Sequence, residues 1–245
     1  SGAAGFEYDG AGSQVFEING VNTYTGATYW DSGHLYISGD SAFGNGGDFL
    51  LAASSVNSAI VTRANWTTSR TIDVLVASTI QTNGNDVTWN GPLMGDGQLS
   101  RMGTGTLTIT DSVSYSGSIT SSAGNFVLRN QGSLAANSGL HFFNGGATLT
   151  LDDTGTHHPD RINDIGGTFN LNGATLSLLG NASLTTDEVI NNLAFTSNSA
   201  STVSLTPGGG QAAILRIGGT LTLNASSTLW RGTNLGVNTP GTANS

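Results

Sequence analysis

The densest group of side chains able to do chemistry lies between Asp152 and Asp164, where Asp152, Asp153, Asp160 and Asp164 surround His157 and His158. Carboxylates and imidazoles so close in sequence suit a divalent ion such as Zn²⁺ or Mn²⁺. Asp152, Asp153, His157 and Asp160 are the residues one ion would take. The spacing nevertheless fits a solvated turn ending at Pro159 better, because these acids and histidines lack an interlocking ligand pattern. Two Gly-rich strings, Gly44-Asn45-Gly46-Gly47-Asp48 and Asn83-Gly84-Asn85-Asp86, approach the calcium-binding nonapeptide of β-rolls. Each occurs once, without its repeat, and reads as a turn, as does Gly95-Asp96-Gly97. His34 and His141 flank strand-like residues and are expected at the surface or half-buried. No Ser-His-Asp order, phosphate loop or dinucleotide fingerprint falls on a suitable strand and helix. No catalytic residue, cofactor or metal is therefore expected.

The elements that must carry these residues are strands. Apolar residues recur at spacing two in Thr106-Leu107-Thr108-Ile109-Thr110, Ala147-Thr148-Leu149-Thr150-Leu151, Thr168-Phe169-Asn170-Leu171-Asn172, Ala174-Thr175-Leu176-Ser177-Leu178 and Thr220-Leu221-Thr222-Leu223-Asn224. Each buries one face and leaves Thr, Ser or Asn on the other. The only candidate for a helical turn is Thr185-Thr186-Asp187-Glu188-Val189-Ile190, with a Thr cap and acids in its first turn.

Several strands are variations on one string, a Gly followed by alternating Thr and Leu, as in Gly146–Leu151, Gly173–Leu178 and Gly219–Leu223. Leu107, Leu128, Leu149, Leu171, Leu193 and Leu215 follow one another at steps of 21 or 22. A period of roughly 20 to 25 residues with two or three short strands per period marks a β-solenoid, in which stacking buries a face that one coil alone would expose. A β-sandwich also fits strands spaced this way, but its successive strands have no reason to resemble one another. Ten to twelve coils at about 4.8 Å each would give a rod on the order of 50 Å. Its core is expected to hold Leu107, Ile109, Leu149, Leu151, Phe169 and Leu171, together with Leu176, Leu178, Leu215, Ile217, Leu221 and Leu223. The body is expected to span residues 1–231 as one domain, with 232–245 an extended tail or a connection to further repeats.

Composition narrows the partners. Of 245 residues 9% are charged, the net charge is −9, and all seven basic residues are Arg, so no basic surface awaits a phosphate backbone or an anionic membrane. Nucleic acid is not an expected partner. The longest apolar runs, such as Phe49-Leu50-Leu51-Ala52-Ala53, fall far short of the roughly 20 residues needed to cross a bilayer. The chain has no cysteine, which excludes disulfides and thiolate sites and suits a durable extracellular protein. It starts at Ser1 and reads as a mature product or a fragment. The four tryptophans, Trp30, Trp66, Trp89 and Trp230, would stack sugars if exposed but are expected to fill the core or cap its ends.

The stretch Gly103 to Leu134, GTGTLTITDSVSYSGSITSSAGNFVLRNQGSL, resembles the autotransporter-associated β-strand repeat, also called the passenger-associated transport repeat. A more tattered copy runs from Asn22-Thr23-Tyr24-Thr25-Gly26-Ala27-Thr28 through Gly33-His34-Leu35-Tyr36-Ile37. Asp160–Ile165, Asn172–Leu178, Thr202–Gly208 and Arg231–Gly236 resemble segments of very large secreted bacterial proteins that carry such repeats. The resemblance implies a right-handed parallel β-helix serving as an extended surface structure. No run of amphipathic membrane strands follows Arg231, so it does not imply self-translocation through a C-terminal barrel. The function expected is a non-enzymatic extracellular rod or adhesin of a bacterial cell surface, with glycan or host contacts and end-to-end self-association into a filament or sheath. The alternatives are a β-helical polysaccharide lyase or hydrolase, or a carbohydrate-binding module. Such an enzyme would need clustered acids with Ca²⁺, a Lys or Arg base, or carboxylates about one coil apart, whereas the acids here are scattered and lysine is absent.

Overall fold

The computed structural model describes residues 4–10, 12–53, 58–111, 114–135, 139–196, 199–224 and 226–232. Among them are 26 strands, one 3-10 turn at Asp40–Phe43 and no α-helix. The strands stack as a parallel β-solenoid of about nine turns with about 23 residues per coil, fewer turns than the sequence period suggested. The expected tail lies outside the described residues except for Gly232, which ends the strand Ser227–Gly232.

Each coil visits up to three faces in order. The first face is a six-stranded sheet from Phe6–Asp9 to Ser114–Tyr115, and the second a ten-stranded sheet from Val15–Ile18 to Leu221–Leu223. The third is an eight-stranded sheet from Trp66–Thr68 to Ser227–Gly232. After Ser114–Tyr115 the first face thins to an isolated bridge between Leu134 and Ile162. The strands Thr186–Ile190 and Ala213–Ile217, paired in parallel, then take its place in the order of the coil. Thr186–Ile190 is thus a strand and not a helical turn. Its residues are alternately buried and half-buried, and the β-branched Thr186, Val189 and Ile190 gain more from a ladder partner than a single capped turn provides.

Register is continuous on the third face, where Val87, Leu107, Phe126, Leu149, Leu176, Val203 and Trp230 are successive partners. The true steps are therefore 20, 19, 23, 27, 27 and 27, not a steady 21 or 22. Leu128 belongs to the neighbouring inward column with Ile109 and Leu151. Leu171 and Leu193 lie on the second face, and Leu215 in the two-stranded sheet. Any inward Leu looks alike in sequence, so a nearly constant spacing had merged five columns from three sheets. The later coils lengthen while the ladder is preserved.

The inward residues form one continuous core. Leu107, Ile109, Leu149, Leu151, Phe169, Leu171, Leu176 and Leu178 are all buried, whereas Leu215 and Ile217 are only partly so. Leu221 and Leu223, expected inside, are 44% and 60% exposed because no described strand stacks beyond theirs. Trp30, Trp66 and Trp89 are in the core, while Trp230 sits half-exposed on the last coil edge-on to Phe195. The corners need glycine where coils close up. Gly105 has φ of +89°, and a Cβ there would lie 2.2 Å from the Asn85 carbonyl of the coil before it.

Candidate functional site

After the strand Thr148–Asp152 the chain leaves the ladder for residues 153–167 and rejoins it at Thr168–Asn172. This excursion holds the Asp/His cluster. The expected solvated turn is present at Thr154, Gly155, Thr156 and Pro159, which are exposed, but it is rooted in a buried polar node: Asp152 and Asp153 are both buried, and Arg161 is 1% exposed. The anchor is Ile162, whose side chain enters the core while its backbone bridges to Leu134. That insertion drags the preceding Arg161 inside, where its guanidinium must find acceptors.

Its partners are specific. Arg161 Nη1 donates to the carbonyls of Asn130 (3.0 Å) and Gly132 (2.9 Å). Nη2 donates to Asp153 Oδ1 (3.1 Å) and the Thr156 carbonyl (3.3 Å). Asp153 Oδ1 also accepts the His158 backbone N–H at 2.8 Å. Its Oδ2 accepts the Thr186 hydroxyl at 2.7 Å and lies 2.6 Å from His157 Nδ1. Asn181 Nδ2 donates to the carbonyls of Asp153 and Gly155, tying the excursion to the next coil.

Glu188 completes the node in a different way. It projects inward from Thr186–Ile190, and its carboxyl accepts the backbone N–H groups of Arg161 (3.1 Å) and Ile162 (2.7 Å). In a regular coil these donors would meet carbonyls of the neighbouring strand. A side chain thus substitutes for a stretch of missing ladder.

The electrostatics follow from burial. Burial pushes Asp153 up, but hydrogen bonds from Thr186, His157, the His158 N–H and Arg161 outweigh it and hold the carboxyl below its ordinary range. Asp152 is likewise lowered, burial being outweighed by Thr154 and by Arg129, whose Nε lies 2.7 Å from Oδ2. Burial raises Glu188 to about 8 despite its two backbone donors, and raises Asp160 with help from Asp164. His158 is lowered by burial and by the nearby Arg161.

Of the four metal candidates, Asp153 and His157 touch each other, Asp152 is occupied by Arg129 and Thr154, and Asp160 lies apart from these contacts. Among the described residues no three His, Asp or Glu side chains are grouped to hold a metal ion. Most of the node's donors and acceptors are spent on one another, Arg161 Nε and Asp160 Oδ1 being buried without a partner, which fits a structural clamp. Sequence reasoning missed Arg161, Asn181, Thr186 and Glu188. The available signal was an acid at an inward position of an alternating strand, and a lone Arg among the acids.

The other polar candidates divide between turns and the core. Gly44–Asp48 forms a turn around the buried Arg70, which donates to the Gly44 and Gly47 carbonyls and pairs with Asp40 at 2.7 Å. A guanidinium thus sits where a calcium loop would hold its ion. Asn83 and Gly84 both have positive φ, as the expected turn requires. His141 is buried, contrary to expectation. Its Nδ1 accepts the Ile119 N–H at 3.2 Å, its ring stacks on Phe169, and burial pushes its pKa down to about 4. His34 is half-buried, as expected.

Set against protein-family models, curated proteins and solved structures, the chain matches none.

Proposed function

We propose that this chain is a non-enzymatic structural rod of a bacterial cell-surface protein, working outside the cell as a stalk or adhesive scaffold. The observation that carries the reading is the single core running through every coil, with buried side chains such as Arg161, Asp153 and Asn181 bonded from one coil to the next. Such a body resists local opening because each inward residue is covered from both sides along the axis. The lack of cysteine and the likeness of residues 103–134 to a passenger repeat support the extracellular, bacterial assignment.

The test has two arms. Small-angle scattering on the purified chain should give an elongated particle about 45 Å along the coil axis. Incubation with acidic and neutral polysaccharides, with and without Ca²⁺, should release no new reducing ends or unsaturated uronates. Product formation that disappears in His157→Ala would establish the enzymatic alternative instead.

A further inference from the structure

The two ends of the solenoid are complementary to each other. Among the described residues the first coil presents edges of Phe6–Asp9 and Val15–Ile18 with no strand stacked on them, and the last those of Ala213–Ile217, Leu221–Leu223 and Ser227–Gly232. Both ends pass through the first and second positions of the coil in the same chain direction. Stacking a last coil on a first coil therefore continues the parallel ladder without reversing a strand.

Side chains match in phase. On the first side the inward residues are Phe6 and Tyr8 at one end and Leu215 and Ile217 at the other, all partly buried against the core. On the second side they are Phe16 and Ile18 against Leu221 and Leu223. Phe16 is 39% exposed, so both ends leave core positions open to water.

Charge is divided between the ends. Residues 4–32 contain Glu7, Asp9, Glu17 and Asp31 and no basic residue, whereas residues 200–232 contain Arg216 and Arg231 and no acid. Aligning the inward pairs puts Glu7, which points outward between Phe6 and Tyr8, beside Arg216, which points outward between Leu215 and Ile217 and already pairs with Asp187 of the coil before it at 2.7 and 2.8 Å, so that Glu7 would add a second carboxylate to that guanidinium. Glu7 hydrogen-bonds with Asp31 and has Asp9 nearby, so the first coil gathers like charge.

We infer that the occupant of each end is a second copy of this chain, docked head to tail with Ala213–Ile217 on Phe6–Asp9 and Leu221–Leu223 on Val15–Ile18. The inference rests on the rod reading above. The contact is heterologous and leaves an open end at each addition, so it propagates into a filament. Each copy adds about 45 Å of length.

Sedimentation velocity and light scattering on the full chain at neutral pH, across a concentration series, test this. The expected result is a weight-average mass that climbs with concentration and falls with added salt. Leu223→Asp, at a position already exposed, should leave the circular dichroism and melt intact and abolish the climb. Glu7→Arg, which sets a second guanidinium against Arg216, should also abolish it, and Glu7→Gln, which removes the charge alone, should weaken it. A rod-shaped monomer at every concentration would overturn the docking and leave the stalk reading standing. A particle that is not elongated would overturn the stalk reading itself. Association seen only after deletion of residues 233–245 would assign the last coil to that segment and not to a second copy.

Discussion

The third face from Val87 to Leu151 and the node around Asp153 both join successive coils, and they do so with opposite materials. On the third face every inward residue is an apolar side chain in register with the one before it, and none is exposed to solvent. At the node the ladder is interrupted, and Arg161, Asp153, Thr186 and Glu188 replace it with hydrogen bonds of fixed direction. A hydrophobic column tolerates exchange of one branched residue for another. The node does not, because removing one member leaves the buried charge or hydrogen-bonding group of another without its partner.

The largest effect should come from the apolar column. Leu149→Asp or Leu171→Asp places an unpaired carboxylate in the core, at a penalty of several kcal/mol against a total stability of about 5–15 kcal/mol. Neither variant should show a cooperative thermal transition by circular dichroism. A retained transition in both would contradict the stacked core.

At the node, Asp153→Ala leaves the Arg161 guanidinium buried without its counter-charge. Urea unfolding should show a loss of about 3–5 kcal/mol. If the clamp is as directional as its geometry indicates, Asp153→Asn should recover only part of this, since a neutral amide keeps one acceptor and loses the charge. Indifference to both substitutions would place the node outside the stabilising framework.

The node should also tilt the pH profile. Glu188 has a folded pKa raised from 4.5 to about 8, so between those values the folded state keeps a proton that the unfolded state has lost. Its contribution therefore weakens stability as pH rises through that window. His141 acts in the opposite sense. With its folded pKa lowered from 6.5 to about 4, the unfolded state takes up a proton first, and stability falls as pH drops from 6.5 towards 4. The two slopes oppose each other between about 4.5 and 6.5, leaving Glu188 alone between 6.5 and 8. Glu188→Gln keeps a carbonyl to receive the Arg161 and Ile162 N–H groups and should flatten the decline in melting temperature from pH 6.5 to 8. Asp152 and Asp153, both lowered, add stability that is present above 3.8 and lost as pH falls further through their folded values.

Smaller changes mark the boundary of the node. Arg129 pairs with Asp152 but is half-exposed, so Arg129→Ala should cost at most about 1 kcal/mol by the same urea assay. Least of all, a chelator should leave the melting temperature unchanged. A fall reversed by one particular cation would show that Asp152, Asp153, His157 and Asp160 gather around an ion after all.

The contrast also explains how far the sequence could be read. Alternation at spacing two, with Gly before each Thr-Leu string, follows from the local geometry of a half-buried strand, so the solenoid and eight of the twelve named core residues were legible. Which inward Leu stacks on which was not, because coil length varies from 19 to 27 residues and the alternation carries no coil number. Leu221 and Leu223 have a core pattern whose burial depends on a neighbour that the pattern cannot report. The node was least legible. Its partners lie as far apart as Asp153 and Thr186, and Glu188 looked like the first turn of a helix because an acid after a Thr carries that meaning locally.

The parallel ladder also has a mechanical consequence. Each coil is held only by the coils on either side, so tension applied between the two chain ends loads the outermost coil alone and peels it before the next is stressed. A freed coil of about 23 residues releases a contour of roughly 80 Å. Extension should proceed in steps of about that length at nearly constant force, until the front reaches Arg161 and Glu188, where several directional bonds must fail together and the force must rise. The rod is in this sense a shock absorber with one stiff stop built into it.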